Sequence, residues 1–248
     1  MKDKPRTGRK TKSKATMYVL VAIVAAVLVG SFALAASKIP ASNPALSSSS
    51  SQSSNNTGTR NLSLASLIAS GSAYKGGTNA PVTLVEFGDF QCEFCDRYAA
   101  ATEPQIDQQY VTAGKVAVVF KHFAWYGPDS VSAAQASQCA NEQGKFWQFH
   151  DILYKNQKAI NSGWAGVGNL KSFAQQIPDL NSAQFDTCLD SGKYLSQVNS
   201  DIALAKSLGF QGTPGFVVEK SDGSSPVPIA GAYPIVTFQQ AIDKELVS

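Results

Sequence analysis

Pro81-Val82-Thr83-Leu84-Val85-Glu86-Phe87 and, after four intervening residues, Cys92-Glu93-Phe94-Cys95 decide the reading of this chain. The run from Val82 to Phe87 alternates and is rich in β-formers, which predicts a central strand. The cysteine pair then opens a helix. Two cysteines separated by two residues at a first helical turn can close into a disulfide, and the helix N-terminus stabilises a thiolate on the first one. Gly212-Thr213-Pro214-Gly215-Phe216 supplies the second segment that dithiol chemistry needs. Together these stretches read as a thiol–disulfide exchange site, with Cys92 the nucleophile and Cys95 the resolving thiol.

Working outward, a short strand is expected near Ala73 to Lys75, before the turn signal Gly76-Gly77-Thr78-Asn79-Ala80-Pro81. The cysteine helix is expected from Glu93 to Gln109, bent near Pro104, which removes a backbone donor. Lys115 to Phe123 reads as a second buried strand. From Asp129 to Gly209 the pattern is helical: Phe146, Phe149 and Leu153 share one face, with Trp147, His150 and Tyr154 beside it. Leu195, Val198, Ile202 and Ala205 form a seam, and Gly209 stands where a cap is expected. Phe216 to Glu219 and Pro226 to Ala230 are strands joined by the turn Ser221-Asp222-Gly223-Ser224. Ile235 to Leu246 closes as an amphipathic helix. The order is βαβ, a helical block over about residues 129–209, then ββα, an α/β arrangement.

The chain has 248 residues, 44% of them hydrophobic. That allows one sizeable core, placed over residues 62–248. Residues 1–16 carry Lys2, Lys4, Arg6, Arg9, Lys10, Lys12 and Lys14 against Asp3 alone; the remainder then holds fourteen bases and seventeen acids. The overall charge of +3 is therefore a property of the tail, and nothing points to nucleic acid. Met17 to Ala36 is twenty uncharged, apolar residues, long enough at about 1.5 Å per residue to cross about 30 Å of hydrocarbon. The basic tail keeps the N-terminus cytoplasmic and sends everything after Ala36 outside. Cleavage as a signal peptide near Ala35, in the small-x-small run Ala33-Leu34-Ala35, is the alternative to a retained anchor. Ala22, Ala26 and Gly30 form a weak small-residue stripe. Residues 37–61, rich in Ser, Asn and Pro, read as a flexible tether. Asn55 and Asn61 stand in glycosylation-type triplets.

The motifs as a set resemble the DsbA-like thiol–disulfide oxidoreductases of the thioredoxin-4-like subgroup, over about residues 70–247. The resemblance is carried by Ala80 to Phe87, the Cys92/Cys95 pair, Glu142-Gln143-Gly144-Lys145-Phe146-Trp147 and Gly212-Thr213-Pro214, in that order. It implies a thioredoxin fold with a helical insertion between the second strand and the cis-proline strand, preceded by the transmembrane helix. It also implies activity on other proteins outside the cytoplasm and no soluble cofactor, because the cysteines carry the electrons. Pro214 takes the place of the family's cis-proline, with Thr213, Glu93 and Phe94 at the substrate-binding surface. Glu86, six residues before Cys92, takes the place of the buried acid. Val82, Leu84 and Glu86 share a strand face, so its carboxyl points inward, where burial raises its proton affinity and lets it accept the Cys95 proton. A strand-end Glu turned to solvent is the competing reading. Glu93 stands where strongly oxidising members carry His and is expected to weaken the Cys92 thiolate.

Cys139 and Cys188, 49 positions apart in the helical block, read first as a structural disulfide in an oxidising compartment. A second redox pair or a four-cysteine zinc site are the alternatives. Otherwise no metal is expected. His150 reads as a packed residue, His122 and Lys121 as a solvated strand end with Lys121 able to bias the nearby acid, and Trp125, Trp147 and Trp164 as core or rim aromatics. The implied partners are exported proteins with cysteines and, by family analogy, a membrane quinone-linked oxidase of the DsbB or vitamin-K-epoxide-reductase type. Compartment favours disulfide formation. Reductase or isomerase action at the same site, a non-catalytic binding module or chaperone, and metal delivery through the two cysteines remain the other readings.

Overall fold

The computed structural model describes residue 68 and residues 73–248. The basic tail at 1–16, the apolar span at 17–36, the tether at 37–61 and the triplets at Asn55 and Asn61 lie outside the described residues. No helix among the described residues is long and apolar enough to cross a membrane.

Five strands, β1 (Ala73–Lys75), β2 (Val82–Gly88), β3 (Val116–His122), β4 (Gly215–Lys220) and β5 (Val227–Ala230), form one sheet in the order β1-β3-β2-β4-β5. β2 and β3 run parallel and the other pairs antiparallel. All seven residues of β2 are buried, as its central position and apolar composition require. Alternation divides the strands between two cores. Val82, Leu84, Val116, Val118, Phe216 and Val218 pack with Tyr98, Ile106, Phe238 and Ile242, whereas Val85, Phe87, Val119 and Val217 pack with Phe123, Ala205 and Phe210.

β2 leads into α1 (Glu93–Ala101) and α2 (Glu103–Ile106), which continues as a π-helical turn over Asp107–Val111. The expected single helix bent at Pro104 is instead interrupted at Thr102. Pro104 falls in the first turn of α2, where a missing N–H leaves no intrahelical bond unmade. The block between β3 and β4 is helical as expected, with α3 (Pro128–Asn141), α4 (Phe146–Lys155), α5 (Val167–Ala174), α6 (Ser182–Asp190) and α7 (Leu195–Ser207). Phe146, Phe149, Leu153, Trp164 and Phe185 form its core, which joins the sheet through Phe90 and Phe120. α8 (Ile235–Val247) covers the first sheet face with Phe238 and Ile242.

Two expectations need correction. Lys121 and His122 do not form a solvated strand end: Lys121 is 3% exposed and His122 is buried with it. Lys121 lies on the sheet face of Phe87, bonded to Asp201 of α7 at 3.1 Å, so it faces away from Glu86. In the α7 seam, Val198 and Ala205 are buried, but Leu195 is exposed. It occupies the first turn, beyond the part of the helix that meets the sheet.

Candidate dithiol site

Cys92 is the N-cap of α1, extended at φ −82° and ψ 119°, and its carbonyl accepts the Asp96 amide at 3.1 Å. Both it and Cys95 carry free thiols and are buried. The Cys92 Sγ donates to the Thr213 carbonyl at 3.2 Å, and the Thr213–Pro214 peptide is cis. Segments 121 residues apart thus meet at one sulfur. The Tyr126 hydroxyl lies 4.0 Å from the same atom.

The two thiols have opposite proton affinities. A hydrogen bond from the Cys95 thiol, opposed by burial and aided by Thr213 and the amides of Cys95 and Phe94, brings the Cys92 pKa down to about 6. Burial, then the neighbouring Cys92, pushes Cys95 well above the ordinary thiol value. One sulfur is ionised near neutrality and the other is held as a thiol. Glu93 is exposed on the first turn, and Phe94 is 42% exposed with the Arg97 guanidinium 4.7 Å from its ring centre.

Glu86 faces inward from β2, fully buried, with neither carboxyl oxygen hydrogen-bonded. The solvent-facing alternative is thereby removed. Burial raises its proton affinity most, the Glu103 carboxylate raises it further, and Lys75 opposes both. The cation that reaches this acid is Lys75 of β1, not Lys121. Lys75 bonds Glu103 at 2.5 Å and Asp107 at 2.8 Å, and its ammonium lies 4.1 Å from the Trp147 ring centre.

A second set of residues braces the loop before Cys92. Asp89 accepts from the amides of Gln91 (2.8 Å), Trp125 (2.6 Å) and Tyr126 (3.1 Å) and from the Ser130 hydroxyl (2.7 Å). Gln157 donates to the carbonyls of Phe90 and Cys92, and Asn161 donates its amide to the Gln91 side chain at 2.6 Å. Asp89, Gln91, Ser130, Gln157 and Asn161, like Lys75, Glu103 and Tyr126, were given no role at the site from the sequence. Asp89 and Gln91, lying between strand and dithiol, were the legible hint.

The remaining assignments fall outside this centre. Cys139 and Cys188 are joined as a disulfide, with Cα atoms 5.8 Å apart, tying α3 to α6. They are therefore in no position to serve a zinc ion. His150 is packed among aromatic rings, its Nδ1 2.9 Å from Asp151. His122 contacts the Gln138 amide at 2.8 Å, and burial brings its pKa down to about 3. Trp164 is core, Trp147 partly buried, and Trp125 exposed on the rim.

Comparison with known proteins agrees with this geometry. The sequence model of a family described as Thioredoxin matches residues 69–242. A Bacillus cereus protein named "Probable disulfide bond formation protein D" is 33% identical over 174 residues, covering 69% of this chain and 77% of that protein. The crystal structure of oxidised BdbD from Bacillus subtilis superposes with a TM-score of 0.64 at 28% identity, over 72% of this chain and 94% of that one. Wolbachia pipientis alpha-DsbA1 shares the fold at a TM-score of 0.61 and 23% identity, over 71% of this chain and 91% of that one. The chain belongs to this thioredoxin family, and it is a DsbA-like thiol–disulfide oxidoreductase.

Proposed function

We propose that the chain introduces disulfides into exported proteins, working on the outer side of a membrane to which residues 17–36 anchor it, with Cys92 the attacked sulfur. The observation that carries this reading is the Cys92 thiol, 3.2 Å from the carbonyl before Pro214, with a pKa of about 6 beside a Cys95 held far higher. A thiolate stabilised at neutral pH stabilises the reduced dithiol, and that makes its disulfide the stronger oxidant. The groups that favour the Cys92 thiolate are the Cys95 thiol, the Thr213 side chain and the amides of Cys95 and Phe94.

In the oxidising direction a substrate thiolate attacks Cys92, and the bonding pair of the Cys92–Cys95 disulfide leaves on Cys95, which takes a proton from Glu86. The substrate's second thiolate then attacks the mixed disulfide at the substrate sulfur. A substrate disulfide forms and Cys92 leaves as its thiolate. Thr213 and Phe94 flank that sulfur, and the Thr213–Pro214 backbone is where the extended substrate would lie. Reoxidation falls to a membrane oxidase of the DsbB or vitamin-K-epoxide-reductase type.

The test uses the full-length chain. Oxidised protein should restore activity to reduced, unfolded ribonuclease. Cys92→Ser should abolish this, and Cys95→Ser should accumulate mixed disulfides with the client. Efficient insulin reduction without ribonuclease oxidation would reverse the direction of flow in favour of a reductase. Activity retained in Cys92→Ser would remove the dithiol from the function altogether. Labelling of Cys92 by a membrane-impermeant alkylating reagent on intact cells tests the placement outside.

A further inference from the structure

More charge is buried beneath the dithiol than one acid–base partner for Cys95 requires. Ala73 of β1 lies opposite Phe120 of β3, and Lys75 opposite Val118; Phe120 and Val118 in turn lie beside Glu86 and Leu84 of β2. Alternation therefore puts Lys75 and Glu86 on one sheet face. Glu103, at the start of α2, is 4% exposed on that side and bonds Lys75 directly. Asp107, one turn on, takes the same ammonium nearer the surface, and Trp147 packs against it while donating to the Tyr74 carbonyl at 2.7 Å. On the inner side His150 Nε2 stands 3.9 Å from the second Glu103 oxygen. Glu86 has no hydrogen-bond donor, so its protonation depends on burial and on these charges.

We propose that the Lys75–Glu103 pair is a positioning device for the dithiol reaction, setting through Glu86 the pH range over which Cys95 can exchange its proton. This deepens the function proposed above and rests on Glu86 being the acid–base partner of Cys95. Two carboxylates in one dry site cannot both ionise cheaply, so Glu103, ionised against Lys75, favours a proton on Glu86. Lys75 limits that preference, leaving Glu86 able to give the proton up. The other titratable groups around this face are Cys92, Cys95 and Tyr98 from α1, Asp107 from the π turn, His122 from β3, and His150 and Tyr154 from α4; β4 contributes Phe216. Lys75 is the lysine among them. When the disulfide opens, the electron pair stays on the Cys95 sulfur and the Glu86 proton moves to it. When Cys95 attacks a mixed disulfide, the proton returns.

The two partners therefore act with opposite sign. Glu103→Gln removes the negative neighbour but leaves Lys75, so Glu86 should ionise at lower pH; Lys75→Gln should move it to higher pH. Each displacement should be about one pH unit or more. The experiment is a carbon NMR titration of the full-length, oxidised protein labelled in the glutamate carboxyl, with the Glu86 signal identified by its loss in Glu86→Gln. In parallel, release of glutathione from its mixed disulfide with Cys92 is timed across pH. Opposite displacements in both readouts, a return toward wild type in Glu103→Asp, and an intermediate midpoint in the Lys75→Gln/Glu103→Gln double variant are expected. The double variant keeps the site neutral should Lys75→Gln alone fail to fold. Displacements of the same sign, or none, overturn the proposal. Glutathione release unchanged in Glu86→Gln overturns instead the role of Glu86 on which it rests.

Discussion

At the residue scale the site works by separating the proton affinities of chemically identical groups. Cys92 and Cys95 differ because one sits at a helix tip, accepting hydrogen bonds, while the other is enclosed. Reduced protein should show one thiolate titrating near pH 6 by ultraviolet absorbance, absent in Cys92→Ser. A titration confined to the ordinary thiol range, around 9.0, would contradict the geometry. Glu86 is the converse case, an acid whose proton affinity is raised in the fold above its ordinary value of 4.5. A raised affinity contributes stability fully below that ordinary value and loses it as pH climbs toward the folded one. Glu86→Leu should therefore be more stable than wild type by about 1–3 kcal/mol at neutral pH, with the gain shrinking as the solution is acidified toward pH 4.5 and levelling off below it. Denaturant unfolding at several pH values reads both the size and the slope. The inward Glu86 was legible because a strand alternates. Lys75, Glu103 and Tyr126 were not, because long side chains from three separate elements converge only once the sheet and helices have packed.

Among the elements, β2 and α1 were readable because one short stretch carries both periods, two and then 3.6, with the cysteines at the change. The mistakes lay where an element's surroundings decide. Lys121 ends a strand, which suggests solvent, yet α7 lies over that end with Asp201, whose second oxygen accepts the His122 amide at 3.2 Å. Removing one partner strands a buried charge, so Asp201→Ala should cost about 3–5 kcal/mol, much of it recovered by the double change Lys121→Met/Asp201→Leu. Chemical unfolding of the three proteins measures it. The bond between α3 and α6 closes a loop with cysteines 49 residues apart. Its loss in Cys139→Ala/Cys188→Ala should lower stability by about 2–4 kcal/mol while leaving the Cys92 titration in place. A displaced titration in that variant would instead couple the second cysteine pair to the active dithiol.

In the described domain as a whole, the helical block is more than an insertion, because its loops hold the dithiol loop in shape. Asp89 receives four donors, two of them the Trp125 and Tyr126 amides at the entry to the block. Asp89→Ala should cost at least about 3 kcal/mol. It should also accelerate hydrogen exchange at those two amides more than within β2, a pattern that general destabilisation would not produce. The sequence by itself determined the strand–dithiol–helix unit, the helical block and the closing ββα, because local periodicity and turn chemistry are properties of neighbours along the chain. It also indicated which cysteines are reactive, since a pair spaced for one helical turn differs from a pair 49 residues apart. The tertiary structure alone decided the burial of Lys121, the Lys75–Glu103 charge beside Glu86 and the Asp89 brace. Each of these is a balance of desolvation against a partner from a distant element, and such a balance exists only after the chain has folded.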